Sequence, residues 1–146
     1  MKEVSPREAH DLMQNDPDCV YLDVRSVPEF EAAHPAGAIN IPLMHLTPGV
    51  GMTPNPEFAS VVEASLPKDS KLVIGCKTGG RSARACEIME QMGYKNVANV
   101  RGGFAGAMNN LGQITEPGWS MLSLPTCSDC SEESRYETLS RKAQKN

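Results

Sequence analysis

The sequence predicts an α/β layered fold: a mainly parallel sheet with helices packed on it. Short β-branched apolar runs alternate with stretches of helical spacing, and capping boxes, prolines or glycines punctuate nearly every switch. The chain has 146 residues, enough for one domain with a single core.

The first helix is announced by Ser5, Pro6 and Glu8, a capping box with proline in the first turn. Residues 19–24 (CVYLDV) read as a buried strand flanked by polar turns. A second capping box, Ser26-Val27-Pro28-Glu29, opens a short helix reaching about Ala33. Residues 37–41 suggest another short strand, ended by Pro42. Two prolines and two glycines between Thr47 and Asn55 predict an irregular surface loop. Phe58, Val61, Val62 and Leu66 then fall at helical spacing. Residues 71–75 (KLVIG) form the clearest strand in the chain, followed by CKTGGRS and a helix over 83–92 that Gly93 stops. A last strand over 97–100 and a final helix near 104–111 complete the expected core. From about Thr126 the composition turns polar with mixed charge, which predicts either a solvated helix or a disordered tail, adding little to the core.

Net charge is −4, which argues against a nucleic-acid surface and makes any anion site a local feature. The first residues lack an apolar run of signal-peptide length and no stretch is long enough to span a bilayer, so the chain reads as soluble and cytoplasmic; a presequence removed on import would leave no trace. Five cysteines, an odd number without framework spacing, read as mostly reduced thiols.

The chemistry concentrates at Cys76-Lys77-Thr78-Gly79-Gly80-Arg81-Ser82. Cys76 falls where a buried strand leaves the sheet at its carboxyl end, beside the crevice where ligands bind in open α/β sheets. The paired glycines allow a tight curl that turns successive N–H groups inward as an anion nest. The helix beginning at about Arg81 aims its positive end at the same place, and Lys77 and Arg81 add charge. A cysteine there is expected to have a lowered pKa and to act as a nucleophile, with residues 77–82 binding the substrate. The bland alternative, a buried apolar cysteine before an ordinary turn, does not account for the glycine pair, the two cations and the helix start within six residues.

These residues resemble the rhodanese-like sulfurtransferases, whose active loop has the form Cys-x-x-Gly-x-Arg, matched by Cys76, Gly79 and Arg81 with Ser82 following. Tyr21-Leu22-Asp23-Val24-Arg25, Pro28-Glu29-Phe30, His34 leading into Gly37-Ala38-Ile39-Asn40-Ile41-Pro42, and Arg101-Gly102-Gly103-Phe104 extend the likeness over roughly residues 4–112. The insertion around Gly51 to Pro56 looks closest to plant single-domain members. The resemblance implies a three-layer fold with a parallel five-stranded sheet, residues 1–114 as the rhodanese-like domain and 115–146 as a C-terminal extension. It implies a persulfide on Cys76, formed from an anionic donor such as thiosulfate and emptied by a thiol or cyanide, with no cofactor and no metal. A protein sulfur acceptor is a further partner it admits; nucleic acid and membrane are not expected. Position 107, where the family often has an aromatic residue, is Ala.

Other candidates carry less. Asp23 and Arg25 read as an ion pair orienting the loop, and His34 and His45 as turn or surface residues. Cys127 and Cys130 form a Cys-x-x-Cys without the further ligands zinc needs or the strand-to-helix setting of a redox motif, though a dithiol accepting sulfur from Cys76 is one reading. Cys86 and Cys19 read as core. A cysteine phosphatase or arsenate reductase also uses a Cys…Arg loop, but typically with five intervening residues, whereas Lys77 to Gly80 are four and no His precedes Cys76. A sulfur-carrier module serving one protein partner is the non-enzymatic alternative.

Overall fold

The computed structural model of the protein describes residues 2–128 and 131–145. In chain order the elements are β1 (Lys2–Val4), α1 (Pro6–Asn15), β2 (Cys19–Asp23), α2 (Val27–Ala32), β3 (His34–Pro35), β4 (Ile39–Asn40) and a hairpin of β5 (Met44–Thr47) with β6 (Gly51–Pro54). Then come α3 (Phe58–Ser65), β7 (Lys71–Gly75), α4 (Gly80–Gln91), β8 (Asn96–Val100), a second hairpin of β9 (Ala107–Met108) with β10 (Ile114–Glu116), β11 (Thr126–Cys127) and α5 (Tyr136–Gln144).

Five strands form the central sheet in the order β1-β8-β7-β2-β4, and every pairing is parallel. Side chains alternate across it. Leu72 and Ile74 of β7 face the cluster that contains Val61 and Val62 of α3 and Met89 of α4, while Val73 faces Ala9 of α1, Tyr21 and Trp119. The result is the expected three layers, helix, sheet, helix. Both capping boxes form: Ser5 exchanges bonds with Glu8, and the Ser26 N–H and hydroxyl both donate to Glu29 Oε1.

The structure corrects the sequence reading in four places. Residues 47–55 are not irregular, because the Pro48-Gly49 step is a hairpin turn that pairs β5 antiparallel with β6. No helix forms over 104–111: Gly103 and Gly106 take positive φ (53° and 95°), which turns the chain away from a helical path into the β9–β10 hairpin. Strand β1 at the sheet edge is an added element, too short to show a period. Finally, the C-terminal stretch does contribute to the core. Trp119 is fully buried, β11 pairs with β3, and Tyr136, Leu139 and Ala143 pack on the cluster around α3. Trp119 meets Tyr21 edge-on at 5.5 Å; its backbone N–H donates to Gly103 O at 2.9 Å and its indole N–H to Pro125 O at 2.8 Å. Cys130 lies outside the described residues.

Candidate active site

The carboxyl ends of three neighbouring strands meet at the candidate site. Register pairs Asp23 of β2 with Gly75 of β7, and β8 ends alongside at Val100. Position 75 must be glycine, because the hydroxyl of Tyr21 occupies the space a Cβ would need. From there the chain passes through Cys76 into the loop, and α4 begins at Gly80. Gly79 takes φ 120°, the left-handed turn that brings its own N–H back onto the cysteine.

One donor bonds the sulfur and a second stands within reach of it. The Gly79 N–H donates to Cys76 Sγ at 3.1 Å, and the Ser82 hydroxyl lies 3.4 Å from it. The expected nest of successive N–H groups is therefore narrower: among the described residues one backbone donor reaches Sγ, and a side-chain hydroxyl is the second. Ser82 is fully buried, whereas Lys77, Thr78 and Gly80 stand in solvent.

Cys76 itself is only 1% exposed, contrary to the expectation of a thiol open to the crevice. The cover comes from the chain after β8. Phe104 N–H donates to Cys76 O and Ala105 N–H to Lys77 O, both at 2.8 Å, so residues 103–105 are laced to the loop. Gly103 sits so close that a Cβ there would overlap the Cys76 carbonyl.

The positive groups are arranged unequally. Lys77 is exposed, but Arg81 makes a two-pronged ion pair with Glu29 of α2 at 2.7 and 3.0 Å. Burial pushes the Glu29 carboxyl up, and the hydrogen bonds from Arg81 and Ser26 outweigh it, holding it at about 2. The same contact raises the Arg81 guanidinium, so both remain charged. Arg81 thus ties α4 to α2, and an anion must share it with Glu29.

Asp23 and Arg25 form the ion pair expected of them, at 2.8 Å with both residues buried. Arg25 also donates to Ala33 O at 2.6 Å and lies over the Phe104 ring at 4.5 Å. It therefore bolts β2 and α2 to the segment that covers Cys76. His34 is buried rather than exposed, stacked on Phe30 and bonded through Nδ1 to Phe30 O at 2.8 Å. His45 packs against Tyr136. Cys86 is core: burial raises its thiol to about 12. Among the described residues no group of three or more His, Cys, Asp or Glu is placed to hold a metal, and no helix is long and apolar enough to cross a membrane.

One residue absent from the sequence reading belongs to the site. Asn99 of β8 is buried and accepts the Ser82 hydroxyl at 2.5 Å. The available signal was an asparagine inside an otherwise apolar strand (NVANV), where a buried amide demands a partner.

The family profile of the rhodanese-like domain matches residues 5–110. Thiosulfate sulfurtransferase 16, chloroplastic, from Arabidopsis thaliana is 36% identical over 107 residues, covering 73% of this chain and 87% of that one. Protein HIGH ARSENIC CONTENT 1, mitochondrial, from the same plant is 44% identical over 85 residues, covering 58% of this chain and 50% of its own. The chain spans about half the length of several such relatives. Among solved structures, a rhodanese-related protein from Thermoplasma volcanium superposes with TM-score 0.60 at 26% identity, covering 88% of this chain and 100% of that one. The crystal structure of Rv0390 from M. tuberculosis shares the fold with TM-score 0.74 at 23% identity, covering 88% and 98% of the two chains.

Proposed function

The chain belongs to the rhodanese-like domain family, and on that premise we propose that it is a sulfurtransferase carrying sulfane sulfur on Cys76. The observation that supports this best is the convergence of the Gly79 N–H and the Ser82 hydroxyl on Sγ at the start of α4. The Gly79 N–H donates to the sulfur at rest, the Ser82 hydroxyl lies within reach of a charged sulfur, and with the helix end behind them both favour negative charge there. The Cys76 thiolate attacks the outer sulfur of thiosulfate; a new S–S bond forms, the bond to the sulfonate sulfur breaks, and sulfite leaves with the electron pair. An acceptor thiolate or cyanide then attacks the outer sulfur of the persulfide, and Cys76 departs as thiolate. One hard transfer becomes two easier ones.

Lys77, exposed beside the nucleophile, is the first contact for the donor's sulfonate oxygens, and Arg81 is the second once it is shared with Glu29. Thr78, Gly79 and Gly80 form the backbone wall, and Ser82 the inner donor. Because Cys76 is covered, the donor reaches the sulfur by parting the solvent-exposed outer turn at Lys77, Thr78 and Gly80.

The test is a donor panel (thiosulfate, 3-mercaptopyruvate, glutathione persulfide) with cyanide, on the wild type and Cys76→Ser. Thiocyanate from thiosulfate is expected with the wild type and background only with the variant; equal turnover overturns the proposal. Replacing cyanide by small thiols and then by candidate acceptor proteins separates an enzyme of small molecules from a dedicated carrier. One relative's name refers to arsenic content, so arsenate with a thiol reductant belongs in the panel as the test of the oxyanion alternative. Cytoplasmic residence is likewise a proposal. A fluorescent fusion distinguishes it from the mitochondrial and chloroplastic locations in relatives' names.

A further inference from the structure

Ser82 has one hydroxyl proton and three acceptors around it: Asn99 Oδ1 at 2.5 Å, Gly79 O at 3.2 Å and Cys76 Sγ at 3.4 Å. It can serve one of them at a time, and the short contact decides in favour of Asn99. Asn99 is not free to turn its amide and give a proton instead. Its Nδ2 donates to Glu3 Oε2 at 3.2 Å and to Gly79 O at 3.5 Å. Both are acceptors only, and a flipped amide would set Oδ1 against them. In the resting protein Ser82 therefore shows the sulfur a lone pair, not a proton.

We infer that Asn99 is a positioning residue: it holds the Ser82 proton away from Cys76 and yields it only when negative charge on sulfur outbids the amide oxygen. The relay Sγ–H to Oγ–H to Oδ1 stabilises the resting thiol, in which the Gly79 N–H is the one donor to the sulfur. Rotation about one Ser82 bond brings the second donor to the sulfur and leaves Asn99 Oδ1 buried without a donor, which biases the hydroxyl to return. Glu3, an exposed residue on β1, anchors the far end of this chain. The inference rests on the proposed sulfur chemistry for its purpose but not for its geometry.

The charged and titratable groups around the sulfur come from several elements: Lys77 and Arg81 from the loop and α4, Cys86 farther along α4, Tyr21, Asp23 and Arg25 from β2 and its end, Glu29 from α2, Glu3 from β1 and Arg101 after β8. Asn99→Ala and Ser82→Ala change none of them, so a double-mutant cycle isolates the relay from charge. The measurement is the pH dependence of iodoacetamide labelling of Cys76, read by mass spectrometry on the peptide that contains it. No sulfur donor is used, so failure of the sulfurtransferase reading leaves the result intact, and the reverse also holds. Asn99→Ala frees the Ser82 proton for sulfur, so the labelling midpoint is expected to fall by roughly half to one pH unit, the worth of one neutral hydrogen bond. In the Ser82→Ala background the same change is expected to do nothing. An unmoved midpoint in Asn99→Ala, or an equal shift with Ser82 already gone, overturns the inference. Should the buried substitution prevent folding, Glu3→Asp keeps the charge, withdraws the carboxylate from Nδ2 and is expected to give a smaller shift in the same direction. An unmoved midpoint there overturns the inference as well.

Discussion

Gly103→Ala is the sharpest probe of how the site is built. A Cβ at 103 would lie 2.9 Å from the carbonyl carbons of both Cys76 and Lys77 and nearer still to the Cys76 oxygen. Ordinary contact begins at about 3.4 Å, and the Cys76 oxygen is the nearest atom, so the loop must retreat by about 1 Å. The backbone there has φ 53°, which costs a non-glycine residue about 1 kcal/mol. Overpacking against two backbone units adds about 1–3 kcal/mol. The retreat also stretches the Phe104 and Ala105 N–H bonds to Cys76 O and Lys77 O. Urea unfolding is expected to show a loss of about 2–4 kcal/mol, together with faster labelling of Cys76 as its cover lifts. Gly103→Asn separates the causes: asparagine tolerates this φ but carries the same Cβ, so it recovers at most the strain of about 1 kcal/mol. Wild-type stability and labelling in Gly103→Ala would refute the view that residues 103–105 seat the loop.

Three further outcomes follow from the same contacts. The folded Glu29 carboxyl is held at about 2 against an ordinary 4.5, so its stabilisation is full above the unfolded value and is lost as pH falls from about 4.5 to 2; with solvent screening this is about 1–2 kcal/mol. Glu29→Gln is expected to flatten that part of the urea-versus-pH curve, and an unchanged acid limb contradicts it. Arg25→Ala leaves the Asp23 carboxylate buried and unpaired and is expected to cost about 3–5 kcal/mol, measured by urea unfolding; a loss under 1 kcal/mol would show the pair to be dispensable. Cys86, raised to about 12, has roughly one part in ten thousand as thiolate at pH 8, so native protein is expected to leave it unlabelled by iodoacetamide and urea to expose it. Native labelling of Cys86 would contradict its burial.

Much of the fold could be read from local signals. The Ser5 and Ser26 capping boxes, the 19–24 and 71–75 runs and the helix before Gly93 each depend on neighbours a few residues apart, and each appears where the pattern puts it. The losses came where a local signal was ambiguous or the partner was distant. Pro48-Gly49 marks a turn, but only the register of Met44–Thr47 against Gly51–Pro54 makes it a hairpin. The helix expected near 104–111 is defeated by positive φ at Gly103 and Gly106, which a composition pattern does not display. Trp119 enters the core through a contact with Tyr21, nearly a hundred positions away, and the tail gave no hint of it. In the site, the nucleophile, the glycine turn and the helix start lie within one heptapeptide and were legible. Burial of Cys76, the claim of Glu29 on Arg81 and the hold of Asn99 on Ser82 are set by separate strands and helices meeting at the sheet end.

The measurement that tests the central claim most directly is mass spectrometry of the intact protein and of its Cys76 peptide after brief exposure to thiosulfate and removal of the donor. One extra sulfur atom confined to Cys76, discharged by cyanide and absent from Cys76→Ser, is the predicted result. An unmodified Cys76 in folded protein, or sulfur accumulating on another cysteine while Cys76 stays bare, would contradict it.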